Sequence, residues 1–332
     1  MKLKSLIVGP LVGFLMVFSV SAQAEVPEVR FARMTGLGYL QIYLLQDLKL
    51  VEKNAKEQGV DLVARYFPLG QPTAVNDALL SGSADFAAAG ITPFITLWDK
   101  TRGNTEVKAL AALNSQPAFL NTINPNVHSL KDFSEKDRIA LPAVNVAFQA
   151  TILQMAAELA FGQFDKLDTL TVGLSHADAT NALLSGKSEI TAHFTSPPYQ
   201  YQQLENPKVH RVLSSYDVTG GPATFSGLWA TTRFHDDNPK VVKVVLAALE
   251  EANAIIRSDP AKAAEIFVRL ENAKQTPEEV ATLLRDPDIQ FTIAPQNITK
   301  YTAFMARVGS IRKAPNSWKD LFFANVHQLP GS

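Results

Sequence analysis

The chain of 332 residues, 46% hydrophobic and 19% charged, has the composition of a soluble globular protein and the length of about two domains. Its formal net charge of −1 gives no electrostatic footprint for nucleic acid or an anionic membrane surface. Cysteine is absent, which removes disulfides, thiol nucleophiles and thiolate metal sites together. At the N-terminus, Lys2 and Lys4 precede an apolar run from Leu6 to Val20, and Ala22-Gln23-Ala24 supplies a small-x-small cleavage site. This layout predicts a cleavable signal peptide over 1–24, a mature start at Glu25 and a location outside the cytoplasm. No cysteine follows the run, so no lipid anchor is expected. Removing Lys2 and Lys4 takes 31 basic residues to 29 against 32 acidic ones, a net charge of −3.

"VRFARM" (Val29–Met34) reads as a strand, followed by the turn-like Thr35-Gly36-Leu37-Gly38. A helix is predicted from about Tyr39 to Gln58, with Leu40, Tyr43, Leu44, Leu48 and Val51 on one face and Gly59 as its stop. "VDLVARYF" is a second strand ending in Pro68-Leu69-Gly70-Gln71-Pro72. The next helix covers Ala74–Ser81, Gly82 caps it in a left-handed conformation, and a strand returns over Asp85–Ala89. Strands alternating with helices in this order predict a parallel βαβ sheet. "EVKALAAL" adds a strand before Asn114.

A second unit follows: the strand "RIALPA", a helix from Asn145 to Phe161, the strand "DTLTVGL", a helix over Ala177–Ser185 and the strand "EITAHF". Here the sequence repeats itself. "NDALLSGSADFAAAGITPF" (Asn76–Phe94) matches "TNALLSGKSEITAHFTSPPY" (Thr180–Tyr199): the same Ala-Leu-Leu-Ser-Gly, an acid three residues later and a hydroxyl-proline pair at the end. A period of about a hundred residues is too long for a solenoid module and fits two related lobes. Beyond the strand starting at Ser226 the chain turns helical. Pro239 and Pro260 open two helices, and Thr276-Pro-Glu-Glu279 is a capping box. This last third is predicted to pack as helices on one lobe.

In open parallel sheets, ligands sit beyond the carboxyl ends of strands, where helix N-termini present unpaired N–H groups. The loops in that position are Thr35–Tyr39, Gly70–Thr73, Gly90–Pro93, Asn114–Phe119, Ala143–Phe148, Thr195–Tyr199 and Asp217–Phe225. They carry hydroxyls, amides and aromatic rings but no Lys or Arg, which suits a small polar solute held by N–H donors. The ligand-binding candidates are Gly38, Tyr39, Gln71, Thr73, Thr92, Gln116, Asn145, Phe148, Thr195, Ser196, Asp217 and Thr219. The six histidines are scattered without an i,i+3 or i,i+4 pair, so no metal site is expected of them. Gly-x-Ser-x-Gly, His-Glu-x-x-His and a glycine-rich phosphate loop are all missing, so neither an enzyme nor a cofactor is expected.

The export signal, the twice-used Ala-Leu-x-Ser-Gly-x-x-[Asp/Glu] and "FHDDNPKVVKVVLAALEEANAIIRSDPAKAAEIF" (Phe234–Phe267) together resemble one family. It is the periplasmic substrate-binding proteins of ABC importers, in the nitrate/sulfonate/taurine group that also includes binders of thiamine pyrimidine precursors. The resemblance covers nearly the whole mature chain. It implies a type II periplasmic-binding α/β fold: lobe one from 25–115 and 221–332, lobe two from 116–220, and C-terminal helices packed on lobe one. Two hinge strands would cross near Ala112–Phe119 and Val218–Phe225. It also implies a small-molecule solute closed between the lobes, a membrane permease as partner and a monomer. The family's binding loops map onto Gly36–Tyr39, Gly90–Pro93 and Asn145–Phe148. Taurine binders are expected to hold the amine with an acid, and only Asp217 lies in these loops. The alternatives are a binder of a small aromatic solute such as a pyrimidine, an enzyme on the same fold, or a co-receptor for chemotaxis or a sensor kinase.

Overall fold

The computed structural model describes residues 25–332, so the expected signal peptide lies outside the described residues. Short runs, several of them rich in β-branched, aromatic and alanine residues, form eleven strands among them. These are β1 (Glu28–Arg33), β2 (Val63–Pro68), β3 (Phe86–Gly90), β4 (Val107–Ser115), β5 (Phe119–Thr122), β6 (Ile139–Leu141), β7 (Thr171–Gly173), β8 (Ala192–Thr195), β9 (His210–Ser214), β10 (Thr224–Thr231) and β11 (Gln290–Phe291). They make two sheets, one ordered β11-β4-β10-β3-β1-β2 and the other β7-β6-β8-β5-β9. β1 pairs in parallel with β2 and β3, and β6 in parallel with β7 and β8, as the strand–helix–strand order predicts. β10 returns antiparallel between β3 and β4.

Each sheet is the centre of a lobe. Lobe one is held by an aromatic stack in which Phe31 lies 5.0 Å from both Tyr66 and Phe86, and by the buried Trp229 against Phe94. The chain passes between sheets twice, through Gln116–Ala118 after β4 and through Gly220–Ala223 before β10. Gly220 (φ 71) and Gly221 (φ 124) occupy the left-handed region that the second passage requires. Both copies of the sequence repeat end their helix as expected, Pro72–Leu80 with Gly82 at φ 73 and His176–Ser185 with Gly186 at φ 61.

Three departures from the sequence reading have local causes. The single helix expected from Tyr39 to Gln58 is two, Leu40–Asp47 and Leu50–Glu57, because Lys49 takes φ 49 between them. The second lobe's first helix starts at Phe148 rather than Asn145, which itself adopts φ 61. The C-terminal helices divide their allegiance. Pro239–Ser258 and Pro260–Glu271 pack on the helices of lobe one. Ile298–Arg307 leans on lobe two, with Arg307 paired to Glu158 and Phe304 edge-on to Phe164 at 6.4 Å. Among the described residues, no helix is long and apolar enough to cross a membrane.

Candidate functional site

Between the lobes lies a cavity of about 20 Å³, space for little more than one water. From lobe one it is lined by Met34, Thr35, Tyr39, Pro72, Gly90, Pro93 and Phe225, and from lobe two by Pro142, Ala147, Phe148, Gln149, His176 and Ser196. Apart from Phe225, which lies within β10, these positions lie at or after the ends of β1, β2, β3, β6, β7 and β8. Five of them, Pro72, Pro93, Phe148, Gln149 and His176, lie in the first turns of four helices, Pro72–Leu80, Ile91–Thr101, Phe148–Phe161 and His176–Ser185, two from each lobe. The repeat therefore places equivalent helix starts on both sides of one gap. Such termini offer unpaired N–H groups and positive partial charge. No Asp, Glu, Lys or Arg lines the cavity.

Aromatic contacts close the gap. The Phe148 ring meets Phe225 edge-on at 4.9 Å and Tyr301 at 5.7 Å. Behind Phe225, Gly38 lets the ring come close: a Cβ there would lie 2.8 Å from Phe225 Cε1 and 3.0 Å from Gln116 Nε2. Ser226 Oγ donates to the Gly38 carbonyl at 2.8 Å, which fixes the first loop against β10. Gln116 is fully buried and its Nε2 has no partner. A solute larger than water therefore needs the lobes to part or Phe148 to swing.

On the lobe-two side the histidines are not the unrelated scatter that their spacing indicates. His176 Nδ1 and His193 Nε2 are 3.1 Å apart, and Thr195 Oγ1 is 3.1 Å from the same His176 Nδ1. Gln149 Nε2 is 3.4 Å from His176 Nε2, and Gln203 Nε2 is 2.6 Å from His193 Nδ1. Burial lowers the imidazole of His176 to about 4 and that of His193 well below the usual histidine range, so both are neutral near pH 7. On the outer face of lobe two, His128 and His210 form a second pair at 5.3 Å. Among the described residues no group of three or more His, Cys, Asp or Glu is placed to hold a metal ion.

Beside this cavity, past the hydrogen bond from Leu37 N–H to the Pro197 carbonyl (3.3 Å), a second chamber of about 140 Å³ opens between the lobes. Tyr199, Asn181 and Gln202 of lobe two face Glu271–Gln275 of lobe one there. Lys274 Nζ donates to Asn181 Oδ1 at 3.0 Å across it. The Glu271 carboxylate accepts from the Tyr43 hydroxyl and the Gly36 N–H, and burial lifts its pKa to about 7 despite the nearby Arg33. Arg33, buried with its guanidinium 3.8 Å over the Tyr43 ring, is itself lowered to about 10 by burial.

Of the residues singled out from the sequence, Tyr39, Phe148 and Ser196 meet at the cavity. Gly38, Gln116 and Thr195 stand one layer behind it. Thr92 is buried at its edge, where Thr151 Oγ1 of lobe two donates to its Oγ1 at 3.2 Å. Gln71 and Thr73 are exposed beside the lining residue Pro72, and Asn145 is exposed on its turn. Thr219 is buried and donates to the Gly221 carbonyl at 2.7 Å, bracing the second passage between sheets. Asp217 caps its own short helix and faces a groove on the outer side of lobe two with Leu159 and Val212. Phe225 closes a loop the sequence picks out, Asp217–Phe225, whereas Gln149, His176 and Met34 lie outside every predicted loop. The signal available for His176 was its place at the first turn of the repeated helix.

The family model of the NMT1-like family matches residues 37–270. No curated protein sequence matches the chain. Among solved structures, the alkanesulfonate-binding protein SsuA from Xanthomonas axonopodis pv. citri, bound to MOPS, is similar with a TM-score of 0.71 at 15% identity, covering 90% of this chain and 97% of that one. The periplasmic aliphatic sulphonate binding protein SsuA from Escherichia coli gives 0.67 at 18% identity, covering 90% and 92%. The periplasmic nitrate-binding protein NrtA from Synechocystis PCC 6803 gives 0.67 at 15% identity, covering 89% and 84%. With two α/β lobes, strands crossing twice and this likeness over nine-tenths of its length, the chain has the periplasmic binding protein fold, and it belongs to the NMT1-like family.

Proposed function

We propose that this protein captures a small polar or anionic solute between its lobes outside the cytoplasm and delivers it to the membrane permease of an ABC importer. The observation that carries the reading is the cavity between the lobes, lined by the first turns of two helices from each. An anion there is neutralised by N–H donors rather than by a basic side chain. In this reading 25–115 with 221–332 acts as one rigid lobe and 116–220 as the other, and the protein works as a monomer that performs no turnover. Sulfonates and nitrate, named for the similar structures, are the first solutes to try. Taurine is a poorer fit, since no carboxylate lines the cavity to receive its amine.

A second reading, a small aromatic solute such as a pyrimidine, is favoured by the rings of Tyr39, Phe148 and Phe225 and by the uncharged lining. Calorimetry of the purified mature protein against alkanesulfonates, nitrate, taurine and pyrimidines separates the two. Binding of one class at micromolar affinity or tighter is expected, with Ser196→Ala weakening it about tenfold through one lost hydrogen bond and leaving the fold intact. Failure of every class to bind protein freed of carried-over solute, by unfolding and refolding, refutes the capture function. The mass of the protein recovered from an exporting host checks cleavage before Glu25.

A further inference from the structure

We propose that Gln149 turns a fixed amide NH₂ donor toward the cavity, its orientation locked by a His176 tautomer that is set from the far side of lobe two. The solute edge facing this wall is then a hydrogen-bond acceptor, such as a sulfonyl or nitrate oxygen, a carbonyl or a pyridine-type ring nitrogen. The inference rests on reading the cavity as the solute site, but its central claim concerns the protein alone.

The direction of the relay follows from a group that cannot reverse. The Gln200 backbone carbonyl only accepts, and Asn121 Nδ2 lies 3.0 Å from it, so the Asn121 amide must point its NH₂ that way. The same Nδ2 lies 3.1 Å from Gln203 Oε1, which makes that atom the acceptor and fixes the Gln203 amide in turn. Gln203 Nε2 is then a donor, to Thr180 Oγ1 at 2.9 Å and to His193 Nδ1 at 2.6 Å. A neutral His193 whose Nδ1 accepts carries its proton on Nε2 and gives it to His176 Nδ1 at 3.1 Å. The Thr195 hydroxyl, 3.1 Å from the same Nδ1, can only share that single lone pair, so it supports the same tautomer. His176 is left with its proton on Nε2, the nitrogen nearest Gln149. Donor cannot face donor, so the Gln149 amide turns its oxygen to His176 and its NH₂ to the cavity. His176 and Gln149 both line the cavity; the His176 Nε2–H is taken by the Gln149 oxygen, and the Gln149 NH₂ is the N–H donor left to face a solute. The opposite polarity would set two donors against each other between Gln203 and Asn121, or two acceptors at the Gln200 carbonyl. Asn121, His193, Gln203 and Thr195 are completely buried, so water has no access to rescue either mismatch.

Long-range proton–nitrogen correlation spectra of the full mature chain labelled with ¹⁵N-histidine report the tautomer directly. At pH 7 and without solute, His176 is expected to be protonated at Nε2 with Nδ1 in the unprotonated range. In Gln203→Glu, whose carboxylate can only accept, the proton should move to Nδ1. Wild-type His176 protonated at Nδ1, or at both nitrogens, overturns the proposal whatever the variant does. A folded Gln203→Glu in which His176 keeps its Nε2 proton overturns the relay. For the solute, methanesulfonate and pyrimidine serve as acceptor probes and methylammonium as a donor-only probe. Whichever acceptor probe binds should shift the His176 Nε2 resonance through its bond to Gln149 and lose about tenfold in affinity in Gln149→Leu. Preferred binding of methylammonium overturns the specificity claim. An Nε2–H tautomer together with no binding of any probe leaves the relay standing and counts against the capture function instead.

Discussion

Burial acts on Glu271 and His176 in opposite senses, and each leaves a signature in the pH dependence of stability. The Glu271 carboxyl rises from 4.5 to about 7 on folding. Between those values the folded state holds a proton that the unfolded chain has released, so this group makes the fold weaker as pH rises, by up to about 3 kcal/mol. The His176 imidazole falls from 6.5 to about 4. Between those values the unfolded chain takes up a proton that the folded state refuses, so this group makes the fold weaker as pH falls, and His193 adds to that slope. The two effects overlap between about pH 4.5 and 6.5 and partly cancel. Glu271→Gln should remove the first, so that urea titrations at pH 5 and pH 7 show the variant gaining relative to wild type at the higher pH. A gain at pH 5 instead would mean that the carboxylate is paired tightly enough to stay ionised.

At the scale of elements, the gap is controlled by how closely three pieces approach. Gly38 permits the Phe225 ring to lie where a Cβ would stand 2.8 Å away, and Phe225 in turn supports Phe148. Gly38→Ala should cost about 1–3 kcal/mol in chemical denaturation through overpacking and should also weaken solute binding, because the displaced ring moves into the cavity. The Arg307–Glu158 pair ties the C-terminal helix Ile298–Arg307 to the first helix of lobe two. Both partners are partly exposed, so Arg307→Ala should change global stability by no more than about 1 kcal/mol. Its effect belongs to closure: a two- to fivefold loss of solute affinity is expected, with a larger radius of gyration by small-angle X-ray scattering. Much of this architecture was legible beforehand. The repeat announced the equivalent helix–glycine–strand units, and Tyr39, Phe148 and Ser196 reach the cavity because each follows a predicted strand. β5 and β9 escaped, since Phe119–Thr122 and His210–Ser214 are short and carry buried or half-buried polar residues without alternation. Asn145 and Asp217 lie away from the cavity for a different reason. Side chains such as these satisfy local turns and caps as readily as a ligand, and only the fold decides which. His176 was invisible because its partners come from β8 and from the helix Tyr199–Leu204, a relation that no local spacing records.

For the whole molecule, the question is how strongly a solute must favour closure. Moving from a mostly open to a mostly closed population takes a differential affinity of roughly 5 kcal/mol. The contacts bridging the lobes are several but individually modest: Lys274 to Asn181, Tyr216 hydroxyl to the Asp288 carbonyl at 2.9 Å, Thr151 to Thr92 and Arg307 to Glu158. Solute-dependent shrinkage in scattering, altered in a folded Gly220→Ala, Gly221→Ala variant whose left-handed positions alanine strains, checks that the Gly220–Ala223 passage is a hinge. An unchanged radius in both proteins would argue for entry by Phe148 rotation alone. The lining described above has one further consequence. A cavity walled only by uncharged side chains and backbone has no side-chain charge for counterions to screen. Capture should therefore proceed at nearly the same rate and affinity in dilute and in concentrated electrolyte, so that the protein keeps working as the salinity around it rises and falls.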